Sequence, residues 1–136
     1  MIRYVRRALL EPLSYVLPDT TADWFEGFFL TPMRFARPDQ PALPPGRRFR
    51  IPYGSGWLSV QEWGDGPVVL MLHGWGSSTA DLAASIAPVL ETGFRVVAYD
   101  APAHGESAGR RTNLVDCMGA ALQVAGRILA CRMRTV

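Results

Sequence analysis

Residues 68–107 read VVLMLHGWGSSTADLAASIAPVLETGFRVVAYDAPAHGES, and this stretch decides the fold. Val68 to Leu72 is apolar on both alternations, as expected of a parallel-sheet strand covered on both faces. Ser78 and Asp81 stand at capping-box spacing, and Leu82, Ile86 and Val89 follow on one face, so a helix starts there. Pro88 is expected to kink that helix or end it early, because proline removes a backbone donor and crowds the preceding turn. Gly93 terminates it, and Phe94 to Tyr99, FRVVAY, has the β-branched and aromatic content of another strand. Strand, helix and strand in this order make a parallel pair joined by a right-handed crossover. A final helix is expected from about Asn113, with Leu114, Met118, Leu122, Ala125 and Leu129 along one stripe.

Upstream, Phe49 to Tyr53 and Trp57 to Trp63 are two short strand-like runs around Gly54-Ser55-Gly56, which reads as a hairpin. Gly64-Asp65-Gly66-Pro67 turns the chain again. Residues 37–52, RPDQPALPPGRRFRIP, concentrate proline so heavily that neither a helix nor a central strand can persist through them. They form a connector, preceded by an arm whose second apolar segment is Trp24 to Leu30. The expected division is a helical arm and connector over 1–48 and a partial α/β domain over 49–136, without internal repeats.

A chain of 136 residues with 49% hydrophobic composition can bury one compact core, hardly two. Its net charge of +2 is too small to suggest nucleic acid as a partner. All basic residues are arginine, a bias from which no function follows. Cys117 and Cys131, if on one helix, lie about 21 Å apart at 1.5 Å per residue, too far for a disulfide. No zinc spacing occurs either, so no metal is expected, and a reducing, cytoplasmic compartment is. At the N-terminus Arg3, Arg6 and Arg7 precede an apolar stretch as in a signal peptide, but Glu11 and Pro12 break it and no small-residue cleavage pattern follows. No apolar run approaches the ~20 residues that span a bilayer. Ile2, Val5, Leu9, Leu13 and Val16 recur at helical spacing, which fits an amphipathic helix packed on its own domain or lying on a membrane surface.

Loops that leave the carboxyl ends of parallel strands are where α/β sheets place their chemistry. The two here are HGWGSS and DAPAHGES. In the first, Gly74 and Gly76 let the backbone fold tightly, and the following helix points its N-terminus at the strand end. Free N–H groups there can hold an anion, whether a phosphate or the oxyanion of a tetrahedral intermediate. His73-Gly74-Trp75-Gly76-Ser77 resembles the HGxxG oxyanion loop of the α/β-hydrolase family, and Asp100 to Ser107 resembles its DxPxHGxS loop. Phe29 to Pro32, FLTP, with the Pro/Arg connector after it, is similar to the arm of some members. The resemblance covers roughly residues 24–127 and rests on two motifs in the right order across one β-α-β unit.

The resemblance implies that the backbone N–H of Trp75 is one oxyanion donor and that His73 and His104 brace the loops, neither being the catalytic histidine. Gly74, Gly76, Ser77, Asp100, Gly105 and Ser107 would support them, Asp100 and Ser107 chiefly by capping a turn. A triad of Ser107, His104 and Asp100 is not expected, since adjacent residues of one loop rarely converge that way. The next family element, a strand ending in a G-x-S-x-G nucleophile elbow, is read as missing, as are the later acid and histidine, which suggests truncation or a shifted frame. The expected family function is hydrolysis of an ester-like bond of a small carbonyl substrate without metal or organic cofactor, the chain alone being inactive. Trp75, standing where epoxide and haloalkane hydrolase loops often carry proline, favours esterase- or lipase-like chemistry. Two other readings stand beside it: a non-catalytic remnant or interaction module, and a dinucleotide-binding domain. The last is weakened by Thr79 in place of the third fingerprint glycine. Because the family's strand order puts VVLML beside the missing strand, self-association through that bare edge is also expected.

Overall fold

A computed structural model describes residues 12, 15–34 and 41–133, and it divides into two compact units, Met1–Thr31 and Pro32–Val136. In the first unit, α1 (Pro18–Phe29) opens with proline at its first position and Asp19 in its first turn, both suited to a helix N-terminus. Trp24 stacks on Phe28 at 6.0 Å and meets Phe25 edge-on at 5.4 Å, forming an aromatic stripe on one helix face. The predicted turns from Ile2 to Leu9, and Leu13, lie outside the described residues. Among those described, no helix is long and apolar enough to cross a membrane.

The second unit is an α/β assembly on a four-stranded sheet: β1 (Arg47–Tyr53), β2 (Gly56–Trp63), β3 (Val68–Met71) and β4 (Arg95–Tyr99), in the order β1-β2-β4-β3. The predicted hairpin forms, with Tyr53 opposite Gly56 and Gly54 at φ +51° in the turn. Pro52 is accommodated because β1 is an edge strand, where a missing N–H costs no ladder bond. β2 pairs antiparallel with β4, and β4 pairs parallel with β3.

A single 3-10 turn, Thr79–Leu82, precedes α2 (Ala83–Glu91), and α3 (Leu114–Met133) follows β4. Of the two effects expected of Pro88, the early end does not occur: the helix runs on to Glu91 before Gly93, at φ +82°, stops it. Val96 and Val97 are both fully buried on opposite faces of β4. Val97 joins Ile51, Leu58, Val60 and Tyr99 under Ala120 and Val124 of α3. Val96 joins Trp63 and Ala98 under Ile86 of α2. Each such valine stabilises the three-layer arrangement by about 1.5–3 kcal/mol.

Two readings need correction. The VVLM strand is only half-buried along its length, because β3 lies at the sheet edge and has β4 as its sole neighbour among the described residues. The predicted α3 stripe is also not the packed one: Leu114, Met118, Leu122 and Leu129 are exposed. Cys117, Ala120, Ala121, Val124 and Ile128 face the sheet instead. Small residues let the helix approach closely, so both sides of α3 are apolar and periodicity alone did not choose between them.

Candidate active site

His73 follows β3 directly, and its ring ties the two loops together. Its Nε2 accepts the Ala101 N–H at 2.9 Å, which fixes the neutral tautomer whose Nδ1–H donates to the Gly74 carbonyl at 2.8 Å. Gly76 turns the loop at φ +69°, a conformation that a side chain resists. Beyond it, Ser77 N–H donates to the Gly74 carbonyl at 3.1 Å, and Ser78 N–H to Asp81 Oδ2 at 2.7 Å. Thr79 N–H donates to Asp100 Oδ1 at 2.7 Å. Among the described residues, the N–H groups of Trp75 and Gly76 have no such partner. Trp75 lines a cavity of about 350 Å³, together with Leu72, His73, His104 and residues of α3. Burial pushes the Tyr99 phenol in this cavity up to about 12, reinforced by Cys117 and Tyr53, so it stays protonated at neutral pH.

Asp100 anchors the second loop. Its buried carboxylate takes the Thr79 N–H on one oxygen and the Glu106 N–H, at 2.8 Å, on the other. Gly105 is required beside it: at φ +44°, an added Cβ would stand 2.3 Å from the carboxylate. Ala103 holds φ +62°, which costs a non-glycine residue about 1–2 kcal/mol and marks the loop as tightly constrained. Ser107 is buried, donating from Oγ to the Asp100 carbonyl at 2.6 Å and accepting the Ser59 N–H at 2.8 Å.

Residues 105–109, GESAG, do spell G-x-S-x-G, a match that the reading of a missing elbow passed over. Ser107 nevertheless lacks an elbow's geometry. Its hydroxyl is consumed by backbone groups, it follows a loop instead of closing a strand, and neither His73 nor His104 brings its ring to that hydroxyl. His104 donates Nδ1–H to the Pro102 carbonyl at 2.8 Å, and its Nε2 is buried without a partner among the described residues. Asp100, His104 and Ser107 are thus close in space but do not form a relay.

Arg34 was not singled out in the sequence. Its guanidinium donates to the carbonyls of Ala103 at 3.2 Å, Ser107 at 3.0 Å and Gly109 at 3.2 Å, clamping the second loop from outside. A lone arginine beside a proline-rich connector carries no periodic or motif signal that would have found it.

The His104 ring meets Trp75 edge-on at 5.1 Å and His73 at 5.1 Å. Burial holds its imidazole below the ordinary histidine range; the Pro102 carbonyl and Asp100 oppose this, while His73 and Arg34 add to it. Below about pH 6.5 the unfolded chain takes up a proton that the folded chain resists. This contribution to stability is therefore present above that pH and lost as pH falls toward the depressed value. His104→Phe is expected to shrink the drop in urea midpoint between pH 7 and pH 5; an unchanged drop would contradict the assignment.

Residues 67–127 match the α/β-hydrolase fold family. A bifunctional esterase/perhydrolase of Acinetobacter calcoaceticus is 45% identical over 52 residues, 37% of this chain and 19% of that protein. A non-heme haloperoxidase of Rhodococcus erythropolis is 35% identical over 51 residues, 38% of this chain and 19% of that protein. The match therefore spans about a fifth of these relatives' length. A thioesterase domain from the curacin biosynthetic pathway superposes with a TM-score of 0.55 at 22% identity, over 62% of this chain and 32% of that one, a likeness of fold. The likeness to the α/β-hydrolase fold family thus rests on residues 67–127, which carry the parallel β-α-β unit and the two loops described above.

Proposed function

We propose that this chain supplies the oxyanion-loop half of a serine-type hydrolase site for ester-like bonds of a small carbonyl substrate. The observation that carries this reading is the unpartnered Trp75 N–H beside the cavity, next to three engaged N–H groups. A donor held before the reaction costs no reorganisation when charge develops on a carbonyl oxygen. His73 fixes this loop to the second one, and the Asp100 carboxylate fixes the second loop to the start of the 3-10 turn. The nucleophile and the second donor are not assigned to residues 1–136.

The test uses a protein in which this chain is joined to a segment bearing a nucleophile elbow. Trp75→Ala should keep turnover within a few fold, since only the backbone acts. Trp75→Pro, which removes the N–H, should lose about 100-fold or more in kcat. Equal activity of a folded proline variant would remove Trp75 from the site.

Three further proposals concern setting and assembly. Positions 117 and 131 both fall within α3, about 21 Å apart along a helix axis, and a reducing, cytoplasmic compartment is proposed. Surface contact with a membrane through the N-terminal segment has a direct test in vesicle flotation. Self-association is the stronger expectation. Among the described residues no strand pairs with the outer side of β3, and the exposed leucines of α3 add apolar surface. The chain should sediment as dimers or larger species at roughly tens of micromolar. A stable monomer there would count against it.

A further inference from the structure

The short segment of residues 32–34 touches both loops of the candidate site. The Met33 carbonyl lies against the oxyanion loop: a Cβ added at Gly76 would stand 3.6 Å from it, at ordinary contact distance. One residue on, the Arg34 guanidinium reaches the second loop. Its Nε donates to the Ala103 carbonyl, and one terminal nitrogen is shared between the carbonyls of Ser107 and Gly109. Three carbonyls separated along the loop are thereby gathered on one planar group. Arginine suits this task, because it carries donors only, in a fixed fork, and charge strengthens each bond. Among the described residues Arg34 forms no ion pair, so no carboxylate competes with the carbonyls.

What the clamp holds is the left-handed Ala103. Its N–H donates to the Ala108 carbonyl at 2.9 Å and its own carbonyl is held by Arg34 at 3.2 Å, so the peptide groups on both sides of it are fixed. Gly109 packs on the same residue, where an added Cβ would meet the Ala103 nitrogen at 3.5 Å. A costly backbone conformation persists only where its surroundings determine it several times over. Ala103 directly precedes His104, so this backbone aims the imidazole, which meets Trp75 edge-on at 5.1 Å. Burial is the main cause that holds the His104 imidazole below its ordinary range, and Arg34 adds to it, which places the guanidinium within electrostatic reach of that ring. We propose that Arg34 is a positioning residue of the candidate site: by clamping the carbonyls of Ala103, Ser107 and Gly109 it holds His104 against Trp75 and so steadies the oxyanion loop. The effect of this clamp on turnover rests on the reading of the Trp75 N–H as an oxyanion donor; the clamp itself does not.

NMR of the full 136-residue chain reads the clamp directly, because the His104 ring protons lie in the ring current of Trp75. In Arg34→Gln these protons should lose much of that shift, while the methyl signals of Val96 and Val97, one in each core layer, stay at their native positions. Arg34→Lys keeps the charge but lacks the fork, so it should not restore the contact; it also serves if the glutamine variant does not fold. Arg110→Gln, at an exposed position just beyond the loop, should leave the His104 protons where they are. In a form joined to a nucleophile elbow, Arg34→Gln should lower kcat by roughly 10–100-fold with KM within about twofold, the size expected of a misplacement of about 1 Å. Unmoved His104 protons in Arg34→Gln, or full restoration by Arg34→Lys, would overturn the proposal. So would unchanged kcat in a joined form that Trp75→Pro inactivates. If Trp75→Pro leaves turnover intact while the His104 protons still move in Arg34→Gln, the oxyanion reading fails and the clamp stands.

Discussion

Asp100→Ala is expected to destabilise the chain by about 3–5 kcal/mol, read as a fall in urea midpoint. The carboxylate is buried and accepts Thr79 N–H at 2.7 Å and Glu106 N–H at 2.8 Å, and both donors lose their partner at once. A buried donor left unsatisfied costs about 1–3 kcal/mol, and the side chain's space adds a cavity term. Since whole domains are stable by only ~5–15 kcal/mol, most of the folded population is at stake. Asp100→Asn, which keeps one acceptor oxygen, should lie between; it also reports if the alanine variant does not fold. Glu91→Ala, at an exposed position on the last turn of α2, should stay within ~0.5 kcal/mol. An Asp100→Ala midpoint equivalent to less than ~1 kcal/mol of loss would show that the two loops do not depend on this carboxylate.

Much of this fold was legible because its signals are local. The doubly apolar VVLM run, the Ser78–Asp81 spacing, the Gly93 stop and the hairpin at Gly54 each act through neighbouring backbone, and each marks an element that forms. What escaped depends on tertiary partners. Pro88 is tolerated inside α2, whose Ile86 is buried against Val96 and Ala98, so packing overrides the local penalty. The α3 stripe was misread because Ala120, Ala121 and Val124 are as periodic as the leucines, and only the sheet's need for close approach selects them. Arg34 acts across about seventy positions of chain, through carbonyls that carry no residue identity.

The candidate site divides in the same way. The residue types at His73, Gly76, Asp100 and Gly105 pointed to two constrained loops; hydrogen bonds give His73 and Asp100 their tasks, and a positive φ gives the two glycines theirs. The GESAG match shows why a pattern needs its context. Read as letters it is a nucleophile elbow, whereas the buried, doubly bonded Ser107 hydroxyl is a loop fastener.

The second large effect is the absence of turnover. We expect the 136-residue chain not to hydrolyse p-nitrophenyl acetate above a buffer control, although its relatives include an esterase/perhydrolase. Stabilising an oxyanion helps only after a nucleophile has attacked the carbonyl carbon, and removing the serine alone costs on the order of a millionfold in a serine hydrolase. Ser107 cannot take that role without giving up its bonds to Ser59 and Asp100, which hold the loop. Ser77 donates its hydroxyl to Asp81 at 2.5 Å and Ser78 also faces that carboxylate, with no histidine at either.

The most direct measurement is fluorophosphonate labelling of the purified 136-residue chain, read by intact mass alongside the ester assay and beside a form joined to a nucleophile elbow. The account predicts labelling and turnover in the joined form alone, with the label on the elbow serine. Stoichiometric labelling of Ser77, Ser78 or Ser107 in the 136-residue chain, accompanied by turnover, would contradict it.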